Sequence, residues 1–573
     1  MSPLESLLEK ISVHLTGIYG EGDHDALRDS LVQEMRLEEH FYQPVPFANH
    51  WSEKDVTVIT YGDSILGGNA PLKELKDFLD EHLSDAINTV HILPYFPWTS
   101  DDGFAVSDYL SVNPGLGGWE DIVSIADSYR LMSDLVVNHC SASHEWFRQF
   151  EKKEEPGASF FVVANPEENL SEVVRPRTSP LLKKIDERHV WCTFGHDQID
   201  LNFKEPRLLI ELIKIIRKHL DHGVSIFRLD AVAFIWKEAG TNCLNLPQTH
   251  EIIRLFRTLI EHVKPDAVII TETNIPNREN LSYFGNFNEA HSIYNFSLPP
   301  LLLHALTIGN CQYLKRWLMS MPPARPGTTY FNFIASHDGI GLRPAEGLLS
   351  NEEIDDLVTR MKQNGAQVSD RTVPDGSTRP YEINISLFDA FQGDDGLGMK
   401  RFICAHAILL SLEGMPALYI HSLLGTRNDL QKLAATGHNR HINRHQWDRE
   451  SLEAELSDRT SPHAQVLQRL KKLINIRRDQ PAFHPNATQF SLHLGDAIFG
   501  FWRESLDRLS QAFCFFNITS ERQEIALTNV NIVATDEWID LISGQELDQT
   551  DGTLHFAPYQ CIWLANKRQH LPY

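Results

Sequence analysis

Short apolar runs alternate with amphipathic stretches along most of this chain. At residues 56–61, 89–93, 131–137, 224–229, 267–271, 293–296, 331–335 and 416–420 the sequence is almost continuously apolar or β-branched. Runs this short, without polar alternation, predict strands buried on both faces, as in a parallel sheet. Helical stretches lie between them, and eight strand–helix alternations predict a (β/α)8 barrel. Ahead of the barrel, Leu4, Leu7, Leu8, Ile11, Leu15 and Ile18 fall at helical spacing, and a second amphipathic stretch runs through Leu27, Leu31 and Met35. Residues 1–50 therefore read as a helical extension packed on the barrel. Two intervals within 51–485, at about 140–202 and 339–392, are too long for ordinary connections. They are expected to be insertions over the face where the strands end, where loops set specificity. The second carries Asp370-Arg371-Thr372-Val373-Pro374-Asp375-Gly376-Ser377, a polar, turn-rich segment expected to be mobile. From about residue 486 the pattern changes to β-type runs at 491–502, 511–518, 523–528, 538–542 and 553–564. These predict a small all-β domain over 486–573.

A chain of 573 residues is too long for one compact core, which agrees with a large domain and satellites. Its net charge of -25 argues against nucleic acid or an anionic membrane surface as a partner. The seven cysteines are scattered with no CxxC pair, which predicts reduced thiols and no zinc site. No basic region followed by an apolar core opens the chain, and no apolar run is long enough to span a bilayer. A cytoplasmic protein acting on small molecules is expected, as a monomer or a homodimer.

Polar clusters sit where the predicted strands end: Asp63, Asn138-His139, Arg228 with Asp230, Glu272, and His337-Asp338. Residues two apart in a strand face the same side, so Arg228 and Asp230 should share a pocket, the arginine holding the carboxylate ionised. Alone, that pair is equally well explained as a buried structural ion pair. Glu272 follows Val268-Ile269-Ile270, where burial should raise its pKa and keep it protonated as an acid. Asp338 could stabilise an oxocarbenium-like transition state. Three carboxylates on successive strand ends suit retaining glycosidic chemistry, in which a nucleophile and a proton donor stand roughly 5–5.5 Å apart.

The segments Asp134-Leu135-Val136-Val137-Asn138-His139, Phe227-Arg228-Leu229-Asp230, Ile270-Thr271-Glu272-Thr273 and Ile334-Ala335-Ser336-His337-Asp338 resemble the four short regions of the α-amylase family. Four further segments resemble that family's sucrose phosphorylase group: residues 232–240 after the nucleophile, Asp338-Gly339-Ile340-Gly341, residues 298–305 and Arg440-His441-Ile442-Asn443-Arg444-His445. The resemblance implies Asp230 as nucleophile, Glu272 as general acid/base and Asp338 as transition-state stabiliser. It implies Arg228, His337 and Asn138 in the glucose subsite, Asp63 and Arg440 on the outer hydroxyls, and Phe194 stacked on the sugar. Arg177 would contact phosphate, together with Tyr381, and no metal or organic cofactor is implied. The expected reaction is a double displacement in which inorganic phosphate, as co-substrate, releases α-glucose 1-phosphate. An α-glucoside hydrolase is the rival reading.

Two places depart from the group. Its segment Asp-Leu-Tyr-Gln, which contacts fructose, is here Arg379-Pro380-Tyr381-Glu382, and a histidine is here Tyr109. An ionised Glu382 only accepts hydrogen bonds, so it favours an aglycone rich in hydroxyls. That argument leans to glucosylglycerol as substrate. Glucosylglycerate, sucrose and sucrose 6'-phosphate remain alternatives, because Arg379 could pair with an anion. Residues 98–104, containing Asp101-Asp102-Gly103, read as a loop over the pocket.

Overall fold

Eight parallel strands close into a ring in chain order. They are β1 (Thr57–Thr60), β2 (Thr89–Ile92), β3 (Arg130–Val136), β4 (Val224–Asp230), β5 (Val268–Thr271), β6 (Ser292–Tyr294), β7 (Thr329–Asn332) and β8 (Met415–Tyr419). The computed structural model describes residues 2–39, 41–372, 377–530, 532, 537–550 and 552–566. All eight strands fall within or beside the expected apolar runs, and their residues are buried because helices cover the outside and side chains fill the inside. Helix Pro206–Asp221 begins on a proline and turns Leu208, Leu209, Leu212, Ile213 and Ile216 inward. It hands over to β4 through Gly223 at φ +88°, where a Cβ would also stand 2.7 Å from the Ala126 side chain, so only glycine fits.

The amino-terminal segment forms α1 (Pro3–Tyr19) and α2 (Asp25–Glu34). A capping box of Ser2 and Glu5 starts α1. Its buried stripe of Leu7, Ile11, Leu15 and Ile18 includes His14, whose ring nitrogens meet Glu251 Oε1 at 2.5 Å and Thr258 Oγ1 at 3.1 Å. Both partners belong to helix Pro247–Val263, which joins β4 to β5.

The first long interval contains the antiparallel pair His139–Ser141 and Gln198–Asp200 and a three-stranded sheet of Val163–Ala164, Leu182–Ile185 and Arg188–Trp191. The second contains strands Ile340–Gly341, Gln367–Thr372 and Thr378–Asn384 and helix Asn351–Gln363. Positions 373–376 of its polar segment lie outside the described residues. At the carboxyl end, five strands form one sheet: Thr488–Ser491, Ile498–Glu504, Gln511–Asn517, Cys561–Asn566 and Trp538–Asp540. The expected runs 491–502 and 553–564 each prove to be two strands interrupted by a turn. All seven cysteines are free thiols. Among the described residues no helix is long and apolar enough to cross a membrane.

Candidate active site

The strands of the barrel deliver Asp230, Glu272 and Asp338 to one cavity of about 1090 Å³, counting its open mouth. Asp230 is the last residue of β4. Pairing of β3 with β4 sets Arg228 opposite Asp134. The buried Arg228 guanidinium binds Asp134 Oδ1 and reaches Asp230 Oδ1 at 2.8 Å. Asp134 Oδ2 in turn meets His91 Nε2 at 2.7 Å, so a buried chain of polar contacts runs from β2 through β3 to β4 and fixes the Asp230 carboxylate. Glu272 follows β5, its backbone N–H donating to the Leu229 carbonyl at 3.1 Å. Its Oε2 accepts the Ala231 N–H at 3.0 Å, while Oε1 stands 3.8 Å from Arg228. Ala231 takes the left-handed region at φ +50°, backbone strain located beside Asp230.

Burial pushes the Asp230 carboxyl well above the usual range and raises that of Glu272, with Arg228 opposing at both; Glu272 adds to the rise at Asp230, and Asp134 and Asp338 add at both. The expectation that Arg228 alone holds Asp230 ionised is therefore too simple. The guanidinium is shared with Asp134, and burial opposes the charge on Asp230. Asp338 behaves differently. Burial raises it, but Arg440, Arg444 and Arg228 outweigh burial and hold it below the ordinary range. Arg440 contacts Asp338 Oδ1 at 2.7 Å. His337 is pushed well down by burial and by Arg444, so it is neutral, and it stacks on Phe104 at 5.0 Å between centroids.

Arg177, Phe194, His337, Tyr381, Glu382 and Arg440 line the cavity with the three carboxylates, while Arg228 lies beneath them. Besides Arg228, three expected residues do not reach it. Asp63 is held by Gln446 at 2.6 Å, and the place beside Arg440 belongs to Asp101, whose Oδ1 is 3.7 Å away. Asn138 is a buried support, accepting from Lys237 at 2.6 Å and donating to Asp200 at 3.3 Å, and its neighbour His139 lines the cavity instead. Tyr109 lies below His139, its hydroxyl shared between the carbonyls of Val136 and His139 at 2.9 Å.

Glu382 also differs from expectation. Arg440 grips both its oxygens, at 3.0 and 2.8 Å, and the Gly339 N–H donates to Oε1 at 3.1 Å. It is a fixed carboxylate with both oxygens engaged, not a free acceptor. Arg379 points to Asn351 at the exposed end of its strand, at 2.9 Å, and does not line the cavity. Sequence reasoning assigned no substrate role to Asp101, Phe104, His139, Asn274 and Arg343, all of which line it. The usable signal for Asp101 was the loop 98–104, already expected to cover the pocket. Among the described residues the cluster with metal-ligand spacing is Glu81, His82 and Glu453, away from the cavity and bridged by Arg449 at 2.6 and 2.7 Å.

The α-amylase catalytic domain family matches residues 81–340. A glucosylglycerate phosphorylase of Spirochaeta thermophila is 38% identical over 99% of this chain and 100% of its own length. A glucosylglycerate phosphorylase of Escherichia coli is 40% identical over 90% of this chain and 92% of its own. The crystal structure of sucrose 6F-phosphate phosphorylase from Thermoanaerobacter thermosaccharolyticum superimposes with a TM-score of 0.72 at 28% identity, covering 86% of this chain and 97% of that one. The chain belongs to the α-amylase family, in its sucrose phosphorylase-like group of retaining α-glucoside phosphorylases.

Proposed function

We propose that this protein is a glucosylglycerate phosphorylase, converting glucosylglycerate and inorganic phosphate into α-glucose 1-phosphate and glycerate. The observation that carries the choice of aglycone is the likeness to two glucosylglycerate phosphorylases over nine-tenths or more of the chain. The paired state of Glu382 supports it. The glucosylglycerol reading rested on a free carboxylate as acceptor, and Arg440 occupies both oxygens of that carboxylate.

In the first step Asp230 attacks the anomeric carbon and the glycosidic bond breaks, while Glu272 delivers its proton to the departing glycerate oxygen. Arg228 stands 2.8 Å from Asp230 and 3.8 Å from Glu272, so it favours charge on Asp230 and leaves the shared proton on Glu272. Asp338, ionised by three arginines, faces the positive charge that develops on the sugar. Asp101 and Arg440 hold outer hydroxyls of the glucose, and the Phe194 ring takes its face. In the second step a phosphate oxygen attacks the glucosyl ester, Glu272 accepts the phosphate proton, and Asp230 is released. Arg177 has a guanidinium with no carboxylate partner among the described residues, and it lies over the rings of Phe194 and Tyr381 at 5.7 and 5.8 Å, which suits a phosphate contact. The reaction needs no metal or organic cofactor.

Glucosylglycerate, glucosylglycerol, sucrose and sucrose 6'-phosphate should be offered in parallel in phosphate buffer. The highest kcat/KM is expected for glucosylglycerate. A clear preference for any of the other three would replace the aglycone named here.

A further inference from the structure

The chain leaving Asp338 forms strand Ile340–Gly341, antiparallel to Thr378–Asn384, with Gly341 facing Glu382. The Leu342 N–H donates to the Tyr381 carbonyl at 2.9 Å. The backbone then turns through Arg343–Ala345, pinned where Ser297 Oγ donates to the Pro344 carbonyl at 3.1 Å. This turn brings Arg343 to the wall of the cavity that holds Asp230 and Glu272. Its guanidinium has no hydrogen bond or ion pair among the described residues. Glu346 and Glu279 lie near enough to feel it, but both are taken. Arg371 binds Glu346 at 2.7 Å, and Asn245 binds Glu279 at 2.8 Å. Burial, with Arg371 adding to it, disfavours the charge on Arg343, a cation that an anion would relieve.

Asn274 lines the same cavity. Its Nδ2 donates to Tyr381 Oη at 3.3 Å, while its Oδ1 is buried with no partner. A Cβ at Gly341 would come within 2.9 Å of the Asn274 amide, so glycine there lets Asn274 close on the strand that leads to Arg343. An unpaired guanidinium and an unused amide oxygen thus belong to one cavity, a donor fork and an acceptor. That set matches a carboxylate with a hydroxyl on the adjacent carbon.

We propose that Arg343 and Asn274 form the subsite that selects an anionic acceptor, Arg343 binding the carboxylate of glycerate and Asn274 Oδ1 accepting one of its hydroxyls. This rests on the glucosylglycerate reading and names the residues that would set it. Glycerate and phosphate are never bound together in a double displacement. Arg343 and Arg177 therefore serve one cationic space in turn, the aglycone first and phosphate after it has left.

The test runs the reaction in reverse, with glucose 1-phosphate as donor and either glycerate or glycerol as acceptor. The reading is the ratio of kcat/KM for glycerate to that for glycerol. This ratio cancels the fraction of active enzyme and any effect on the donor. The wild-type ratio is expected to favour glycerate strongly. Arg343→Gln lowers the ratio about 10- to 100-fold, the loss expected for a charged hydrogen bond. Arg343→Lys lowers it less, because an ammonium keeps the charge and loses the fork. Should Arg343→Gln not fold, the drop in Arg343→Lys decides. Arg379→Gln, outside the cavity, keeps the wild-type ratio. A wild type favouring glycerate, with the same ratio in both Arg343 variants, would overturn this inference and leave the function standing. A wild type indifferent between the two acceptors would overturn the glucosylglycerate reading itself.

Discussion

Arg228 serves two carboxylates at once, and the consequences can be measured at single residues. Asp230→Asn removes the nucleophile and is expected to lower phosphorolysis by at least about 1000-fold. Glu272→Gln should be equally poor on glucosylglycerate yet far better on α-glucosyl fluoride, whose leaving group needs no proton. Near-equal loss on both donors would deny Glu272 its role as acid. The pH dependence has a defined sign. Burial raises Glu272, so activity should persist above the ordinary carboxylate range and fall as pH rises through the raised value and the acid ionises. On the acid side it falls as Asp230 takes up its proton. With the fluoride donor only the alkaline limb should vanish, and a retained limb would assign it to another group. The three carboxylates were legible because each follows a buried apolar run. Asp101 was not, because a loop aspartate carries no periodicity, and Asp63, at a strand end, fitted the simple rule better. Nor could the sequence show that Arg440 would engage Glu382 from 58 residues away.

At the scale of elements, the eight barrel strands were readable since burial on both faces leaves an uninterrupted apolar signature. The strands of the insertions were not. Leu182–Ile185 and Gln367–Thr372 are half-exposed and read Leu-Lys-Lys-Ile and Gln-Val-Ser-Asp-Arg-Thr, sequences that resemble loops. The amphipathic stripe of α1 was visible, but its partner helix was not. Ile11 is fully buried in that contact. Ile11→Ala is expected to destabilise the fold by about 2–4 kcal/mol, read by urea unfolding. Activity at 25 °C should be unchanged, because α1 touches helix Pro247–Val263 and not the cavity. A loss of activity without a loss of stability would give the extension a role in the site.

At the scale of the whole molecule, the carboxyl-terminal sheet is joined to the barrel by a shared core. Alternation along Gln511–Asn517 sends Cys514 and Phe516 into the barrel's apolar core and Phe513 and Phe515 into a separate cluster on the other face. The buried Arg503 ties the junction further, donating to the carbonyls of Ser411 at 2.6 Å and His484 at 2.8 Å. Calorimetry is expected to show one transition for barrel and sheet together. Arg503→Ala should lower its midpoint, since at least two buried carbonyls lose their donor, at about 1–3 kcal/mol each. A separate early transition for the sheet would contradict this. The β character of this region was readable from the sequence, but its fusion to the barrel was not, since the two faces of these strands are equally apolar. The account as a whole stands on phosphate as the glucosyl acceptor. The most direct measurement follows the anomeric protons by NMR as wild-type enzyme acts on glucosylglycerate over a range of phosphate concentrations. The predicted first product is the α anomer of glucose 1-phosphate, formed at a rate that rises with phosphate, with little free glucose. Free glucose as the main product, at a rate indifferent to phosphate, would contradict it.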